Sequence, residues 1–256
     1  HDYIMLKCRA AIMVLALFLL VLPQETFCAE KPLWELGIGG GVLMMPDYRG
    51  SDKNRVYALP LPYAVYRGGI FRLEDKRLTA RLFRSDRVTL DLSGYGAVPV
   101  KSDDNEARKG MQDLDPTFEL GPALRVKLVD SAAHQYRLSL ALPARAVFST
   151  DFRSVRHEGW VFSPRLNVQM GDVISGTGLT FGASVGPMFA DRGVHDYFYE
   201  VGPAFSTITR PVYAPGAGYS GSTLTLGLGK NFRRLLFHSF VSADFLQGAV
   251  FENSPL

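Results

Sequence analysis

Two sets of side chains in this sequence have residue types that could do chemistry. The first set, His195, Asp196, His238 and Ser239, supplies the imidazole, carboxylate and hydroxyl groups of a hydrolase. A catalytic triad requires these groups to meet in space. The segment GYSGS (residues 218–222) only imitates the G-x-S-x-G turn that presents a hydrolase nucleophile. We therefore expect structural or lumen-lining roles for these side chains and no enzymatic activity.

The second set is a cluster of carboxylates in the polar segment 102–115. It consists of Asp103, Asp104, Glu106, Asp113 and Asp115. Several carboxylate oxygens suit a divalent cation, but the spacing is not that of a calcium loop, which has a fixed series of ligands and a glycine at position six. We expect a solvated polar loop here, or a partner-binding surface, and neither a metal ion nor a cofactor.

A second polar segment, residues 47–55, lies between two strand-like stretches. We predict that it is the tip of the first hairpin, made rigid by Pro46 and turned at Gly50. Its charge would keep the tip in water. The candidate partner-binding residues of the two polar segments are Asp47, Tyr48, Arg49, Asp52, Asp103, Asp104, Glu106, Asp113 and Asp115.

Composition excludes several other classes of function. The formal net charge is only +3 and the basic residues are scattered, whereas a nucleic-acid-binding protein has a basic face. The two cysteines, Cys8 and Cys28, both lie near the N-terminus. If that segment is removed, the mature chain has no disulfide, zinc–thiolate site or catalytic thiol.

The N-terminal residues have the pattern of an export signal. Lys7 and Arg9 precede an apolar run at residues 10–22, which is shorter than the ~20 residues of a membrane helix. Pro23 and small residues follow it. We predict a signal peptide at residues 1–28, in which residues 1–4 before Met5 are non-native, and a mature domain at residues 29–256.

The mature chain repeats its apolar residues with a period of two, which indicates β-strands. In residues 118–128, for example, Leu120, Leu124 and Val126 alternate with Glu119 and Arg125. We predict strands at residues 34–44, 57–65, 88–98, 118–128, 136–148, 160–170, 179–189, 197–205, 223–229 and 235–246, with one or two more in residues 71–83. No stretch shows a convincing helical period.

Strand length separates a soluble sandwich from a membrane barrel. Sandwich strands typically run ~5–6 residues, whereas strands that cross an outer membrane need about 9–11. The predicted strands are long, their connections are short, and aromatic residues such as Tyr136 and Trp160 lie at strand ends. We therefore predict an all-β fold, a transmembrane antiparallel up-and-down β-barrel.

The strand count depends on residues 71–83. There are eleven strands if this segment is a single strand, and twelve if the chain turns at residues 75–76. Bacterial barrels have an even count, and the chain ends at FENSPL without a terminal aromatic residue. We expect a native barrel of about twelve strands whose last strand is missing from this chain. If residues 75–76 turn, residues 101–115 face outward; otherwise they face the periplasm.

Prolines are the feature of this pattern that strand chemistry does not explain. Proline cannot donate a ladder hydrogen bond, yet many prolines fall inside the predicted strands. They are Pro60, Pro62, Pro122, Pro143, Pro164, Pro187 and Pro203.

Several sequence blocks resemble the MipA/OmpV family of outer-membrane proteins, in order along almost the whole mature chain. They are PDYRGSD (46–52), LPLPYAVYRG (59–68), SDDNEARKGMQDLDPTFELGP (102–122), VFSPRL (161–166), GPMFAD (186–191), HDYFYEV (195–201), GYSG (218–221) and GAVFENSPL (248–256). The resemblance implies an outer-membrane β-barrel. It also implies a scaffold that joins a lytic transglycosylase to a bifunctional murein synthase, and other members are described as adhesins. Family members continue past NSPL into a closing strand, which this chain does not have.

These observations leave three functions open. We expect a scaffold in the outer membrane of a Gram-negative bacterium, in contact with membrane lipid and with murein enzymes. The alternatives are a narrow solute channel and an adhesin. A twelve-stranded lumen is narrow, and an excess of arginine among its mixed charges would favour anions.

Overall fold

The computed structural model describes residues 34–66, 71–74, 77–133, 135–232 and 235–256. The predicted signal peptide at residues 1–28 lies outside the described residues, as do the predicted turn residues 75–76. Both are therefore left as predictions about the sequence.

Within these ranges the chain is built almost entirely of β-strands, which confirms the predicted all-β class. The strands are β1 (Trp34–Pro46), β2 (Asn54–Tyr66), β3 (Phe71–Glu74), β4 (Arg77–Arg84), β5 (Val88–Ala97), β6 (Thr117–Ser131), β7 (Tyr136–Thr150), β8 (Val155–Phe162), β9 (Arg165–Met170), β10 (Leu179–Ala190), β11 (Gly218–Phe232) and β12 (Leu235–Phe245). None of the described helices has the length and apolarity that crossing a membrane requires.

The strands follow one another up and down, and every pair of neighbours is antiparallel. β1 pairs with β2, and a second sheet runs from β12 through β11, β10, β8, β7, β6, β5 and β4 to β3. β8 and β9 lie end to end, since both pair with β7 and with β10. This is the strand order of an up-and-down barrel wall, and among the described residues the ring is not closed.

Residues 71–83 form two strands rather than one. Phe71 pairs with Ala80, and Glu74 pairs with Arg77, so the chain reverses between β3 and β4. Of the two interpretations of residues 71–83, the one with two strands is therefore confirmed. The count of twelve is not confirmed, because β8 and β9 together correspond to one predicted strand and residues 197–205 form none, so the described residues hold eleven.

The predicted strand at residues 197–205 is wrong. Helix α1 occupies Arg192–Tyr199, and a short 3-10 helix occupies Pro203–Phe205. The helix begins where the Asp191 side chain accepts a hydrogen bond from the Val194 N–H, as a helix N-cap does. Val194, His195 and Tyr199 are its buried residues, so the burial follows a helical spacing rather than a period of two.

The two faces of the sheet differ as the alternation predicts. Large apolar side chains on one face are exposed, among them Leu120, Trp160 and Val185. Polar groups on the other face contact one another across neighbouring strands, as Glu119 and Arg145 do. An apolar outer face and a polar inner face are the arrangement of a membrane barrel.

The sheet is interrupted at the same height in several neighbouring strands, and a proline lies at each interruption. The four prolines are Pro122, Pro143, Pro164 and Pro187. The β6–β7 pairing breaks between Leu120–Ala146 and Ala123–Pro143, which brackets Pro122. Pro164 lies between β8 and β9, and the β10–β11 register shifts between Pro187 and Phe189. Because proline has no N–H to donate, it is tolerated best where the ladder between strands is already interrupted.

Glycines make the same level sterically tight. A Cβ atom on Gly186 would lie 1.9 Å from the Pro164 carbonyl oxygen, and one on Gly121 would lie 2.1 Å from the Ala144 carbonyl oxygen. These glycines therefore allow neighbouring backbones to approach closely where the ladder is broken.

The remaining prolines have separate explanations. Pro60 and Pro62 lie in β2, which pairs only with β1 among the described strands. Proline is tolerated on such an edge strand. Pro203 is the first residue of a 3-10 helix, a position at which a missing N–H costs little.

The two ends of the strands differ in the size of their connections. At one end, residues 47–53, 98–116, 191–217 and 246–256 pack together, and we call this group the cap. At the other end, the short-turn end, the connections include residues 85–87 and 171–178.

Candidate functional site

A small hydrophobic core holds the cap together. Its buried residues come from all four segments of the cap: Tyr48, Val100, Leu114, Tyr199, Ala249 and Phe251. The rings of Tyr199 and Phe251 stack with their centroids 3.8 Å apart. The cap is therefore a packed unit rather than a set of independent loops.

Hydrogen bonds from Asn105 fasten the first hairpin to segment 98–116. The fully buried Asn105 amide donates to Asp47 Oδ2 at 2.8 Å and to Ser51 Oγ at 3.1 Å. The Asp47 carboxylate also accepts a hydrogen bond from Arg55 Nε at 2.5 Å. These contacts fix the position of the hairpin tip.

Two arginines fasten segment 191–217 to segment 98–116. Arg108 donates to the Phe198 carbonyl at 2.9 Å and lies over the Tyr48 ring, 5.7 Å from its centroid. Arg210 donates to the carbonyls of Ala107 and Lys109 at 2.9 and 3.0 Å. Burial lowers the pKa of the Arg108 guanidinium, whose hydrogen bonds go to neutral oxygens.

His195 joins helix α1 to the start of β11. Its Nδ1 lies 2.7 Å from the Gly216 carbonyl oxygen, and its Nε2 lies 2.7 Å from Ser220 Oγ. Burial lowers the pKa of His195, which favours the neutral ring. Nδ1 then donates to Gly216, and Nε2 accepts the Ser220 hydroxyl proton.

This arrangement has the distances of a serine–histidine pair but not the access. His195 is 1 % exposed and Ser220 is 0 % exposed, so a substrate has no path to the hydroxyl. His238 and Ser239, the other predicted hydrolase residues, lie in β12 near its turn with β11. The four predicted residues therefore do not come together, and sequence reasoning missed the role of Ser220.

The nine candidate partner-binding residues all lie in or beside the cap, but they differ in exposure. Asp47 and Tyr48 are buried, and burial raises the pKa of the Tyr48 hydroxyl. Arg49 points to β10–β12, where it pairs with Asp244 at 2.8 Å. Asp52 is exposed at the hairpin tip.

The carboxylates of segment 98–116 are more accessible, although most have a structural contact. Asp103 accepts a hydrogen bond from Gly110 N–H, and Asp113 accepts one from Ser102 N–H. Asp104 pairs with Arg55 at 3.2 Å, and Asp115 pairs with Arg156 at 2.8 Å. The Glu106 side chain is 92 % exposed.

Residues of the inner face below the cap form charge pairs. Arg145 lies 2.7 Å from Glu119 and donates to Ser163 Oγ at 3.2 Å, and Arg125 lies 3.1 Å from Asp91.

The predictions of no metal and no cofactor were made from the sequence and stay predictions. Among the described residues, histidines, cysteines, aspartates and glutamates form no group of three or more that could hold a metal ion.

Comparisons with known proteins identify a family. A family model described as MltA-interacting protein MipA matches residues 38–256. No curated protein matches the chain significantly. No solved structure does so either.

Proposed function

Because the chain belongs to the MipA family, we propose that it is an outer-membrane β-barrel scaffold. In this proposal it binds peptidoglycan-remodelling enzymes, namely a lytic transglycosylase and a bifunctional murein synthase, and is not itself an enzyme. The family match over residues 38–256 carries the proposal, since the family is described by its interaction with MltA.

The exposed apolar face supports the membrane location. Leu120, Phe162, Val185 and Leu226 are between 38 and 47 % exposed on strands whose other face is polar. A soluble protein rarely exposes large apolar side chains along one face of several neighbouring strands. We therefore expect the full chain to fractionate with the outer membrane.

The difference between the two ends supports one orientation. Outer-membrane barrels have short periplasmic turns and longer extracellular loops. The cap then lies outside the cell and the short-turn end lies in the periplasm. In this orientation murein enzymes reach the short-turn end, and the nine candidate residues of the cap face an external partner.

Cysteine labelling with a membrane-impermeant reagent in intact cells tests this orientation. Ser102 is fully buried, so the exposed Glu106 is the better position in the cap, and Ser175 is its counterpart at the short-turn end. We expect labelling of Glu106→Cys and none of Ser175→Cys. The reverse pattern would place the cap in the periplasm.

Capture of the murein enzymes tests the scaffold itself. We expect the detergent-solubilised full chain to retain a lytic transglycosylase and a murein synthase on an affinity resin. A variant that neutralises Asp103, Asp104 and Glu106 is expected to retain them equally well if the cap lies outside. If wild-type chain and variant both fail to retain these enzymes on the resin, the scaffold function is refuted.

The exposed carboxylates of the cap favour adhesion as a second candidate function. Asp52, Asp103 and Glu106 are exposed on the surface of the cap, which suits a basic external partner and makes binding salt-sensitive. We expect a variant that neutralises Asp52, Asp103 and Glu106 to lose adherence to host cells, chiefly at low salt. Unchanged adherence would exclude these carboxylates as the adhesive surface.

A further inference from the structure

A cavity of about 550 Å³ opens at the short-turn end, where β6 and β9 end and β7 begins. Its lining residues are Ser131, Tyr136, Met170, Gly171, Asp172 and Val173. The volume falls within the range of about 300–1,000 Å³ that is usual for small-ligand sites.

The walls of this cavity continue the apolar outer face of the sheet. Tyr136 and Met170 are paired directly across β7 and β9, and both belong to the apolar alternation of their strands. Val173 of the lining and Ile174, which follows it in sequence, are exposed. The occupant that this surface meets in an outer membrane is a lipid chain.

Asp172 supplies the charge among the lining residues. Its carboxylate accepts hydrogen bonds from Gly176 N–H and Gly178 N–H, both at 2.8 Å, which hold the loop in shape. The hydrogen bond from Gly176, and after it the one from Gly178, lowers the pKa of the Asp172 carboxyl group. The group is therefore an anion at neutral pH, and the lining residues include no basic side chain.

We propose that this cavity binds a phospholipid with an amino headgroup. The lipid chain and glycerol pack on Tyr136 and Met170, and the headgroup ammonium lies beside the Asp172 carboxylate. A lipid with a net negative headgroup is repelled by the same carboxylate. The inference rests on the proposed insertion of the chain into the outer membrane.

Native mass spectrometry of the detergent-solubilised full chain tests the site, with phosphatidylethanolamine and phosphatidylglycerol added as competing probes. We expect wild-type protein to retain more phosphatidylethanolamine. Asp172→Asn is expected to lower this preference about two- to fivefold, as loss of an exposed ion pair does. Met170→Ala is expected to weaken retention of both lipids to the same extent.

Asp151→Asn is the matched control. Asp151 is also an exposed carboxylate that accepts backbone hydrogen bonds, from Arg153 and Ser154, but it lies in the β7–β8 connection at the opposite end. We expect Asp151→Asn to leave the preference for phosphatidylethanolamine over phosphatidylglycerol unchanged. Equal retention of the two lipids by wild-type protein, or an unchanged preference in Asp172→Asn, would overturn the proposal. Outer-membrane fractionation and enzyme capture, measured separately, report on the proposed function.

Discussion

The hydrogen bonds of His195 make the stability of the cap dependent on pH. In the folded state burial holds the pKa of His195 below its ordinary value of 6.5, and burial outweighs the attraction of Asp191 and Asp196. The unfolded chain therefore binds the proton more readily, so the stabilisation is complete above pH 6.5 and is lost as the pH falls through the folded pKa.

We expect the cap to unfold at a lower temperature at pH 5 than at pH 7.5. Near-ultraviolet circular dichroism of the cap tyrosines measures this transition. Other carboxylates also titrate in this range, so the comparison is with His195→Gln, which keeps a donor and an acceptor but has no titratable group. An equal pH dependence in wild type and variant would show that another group is responsible.

Which candidate side chains are accessible could not be read from the sequence. The polar segments were identified correctly as connections between strands, but Asp47 and Tyr48 look as exposed in the sequence as Asp52 does. Their burial depends on Asn105, which is 58 positions away from Asp47. Local charge predicts solvation, and only tertiary packing distinguishes a structural carboxylate from an accessible one.

Among the elements, most strands were predictable because a barrel wall imposes a strict alternation over many residues. Helix α1 was not, because it has eight residues, too few for its period to stand out. Tyr197, Tyr199 and Val201 happen to alternate, whereas the useful local signal was the N-cap Asp191. The level at which prolines interrupt the sheet could not be predicted either, because the alignment of prolines in different strands depends on the register between those strands.

Gly186 tests whether close backbone approach at the proline level matters for the sheet. A Cβ atom at Gly186 would overlap the Pro164 backbone, while one at Gly182 in the same strand and on the same face meets its nearest atom at 3.9 Å. We expect Gly186→Ala to destabilise the fold by about 1–3 kcal/mol or more, the usual cost of overpacking. Gly182→Ala should be nearly neutral.

Urea unfolding from liposomes measures both variants, and heat-modifiable gel mobility shows whether each is folded. Similar changes in stability for Gly186→Ala and Gly182→Ala would mean that the overlap with the Pro164 backbone has no measurable cost. That result would remove the steric role that we assign to Gly186.

At the scale of the whole molecule, the membrane location predicts unequal costs for a charge on the two faces. Leu140 belongs to the apolar face of β7 and Ser139 to the polar face. Leu140→Arg should cost ~2–4 kcal/mol if it lies near the bilayer midplane, and Ser139→Arg should cost much less. Unfolding from lipid measures both, and equal costs would contradict the assignment of the faces.

The channel alternative depends on what fills the inner space below the cap. Arg49 reaches from the first hairpin to Asp244 on β12 and Thr223 on β11, and so lies across this space. We expect Arg49→Ala to conduct more than wild type in planar bilayers. Lys53→Ala, which removes an exposed charge from the same hairpin, is the control. Equal conductance in all three proteins would exclude Arg49 as the obstruction.

The composition of the cap sets the order in which the molecule is assembled. Arg49 and Asp244 are 195 positions apart, and the Tyr48 core includes Phe251. Contacts so distant in sequence form slowly, and these cannot form until the far end of the chain arrives. We therefore expect Tyr48 in the first hairpin to stay exposed until the remaining strands have formed. Until then we expect proteases to cleave after Arg49, whose side chain binds Asp244 only in the folded molecule, so resistance at Arg49 marks the moment at which assembly is complete.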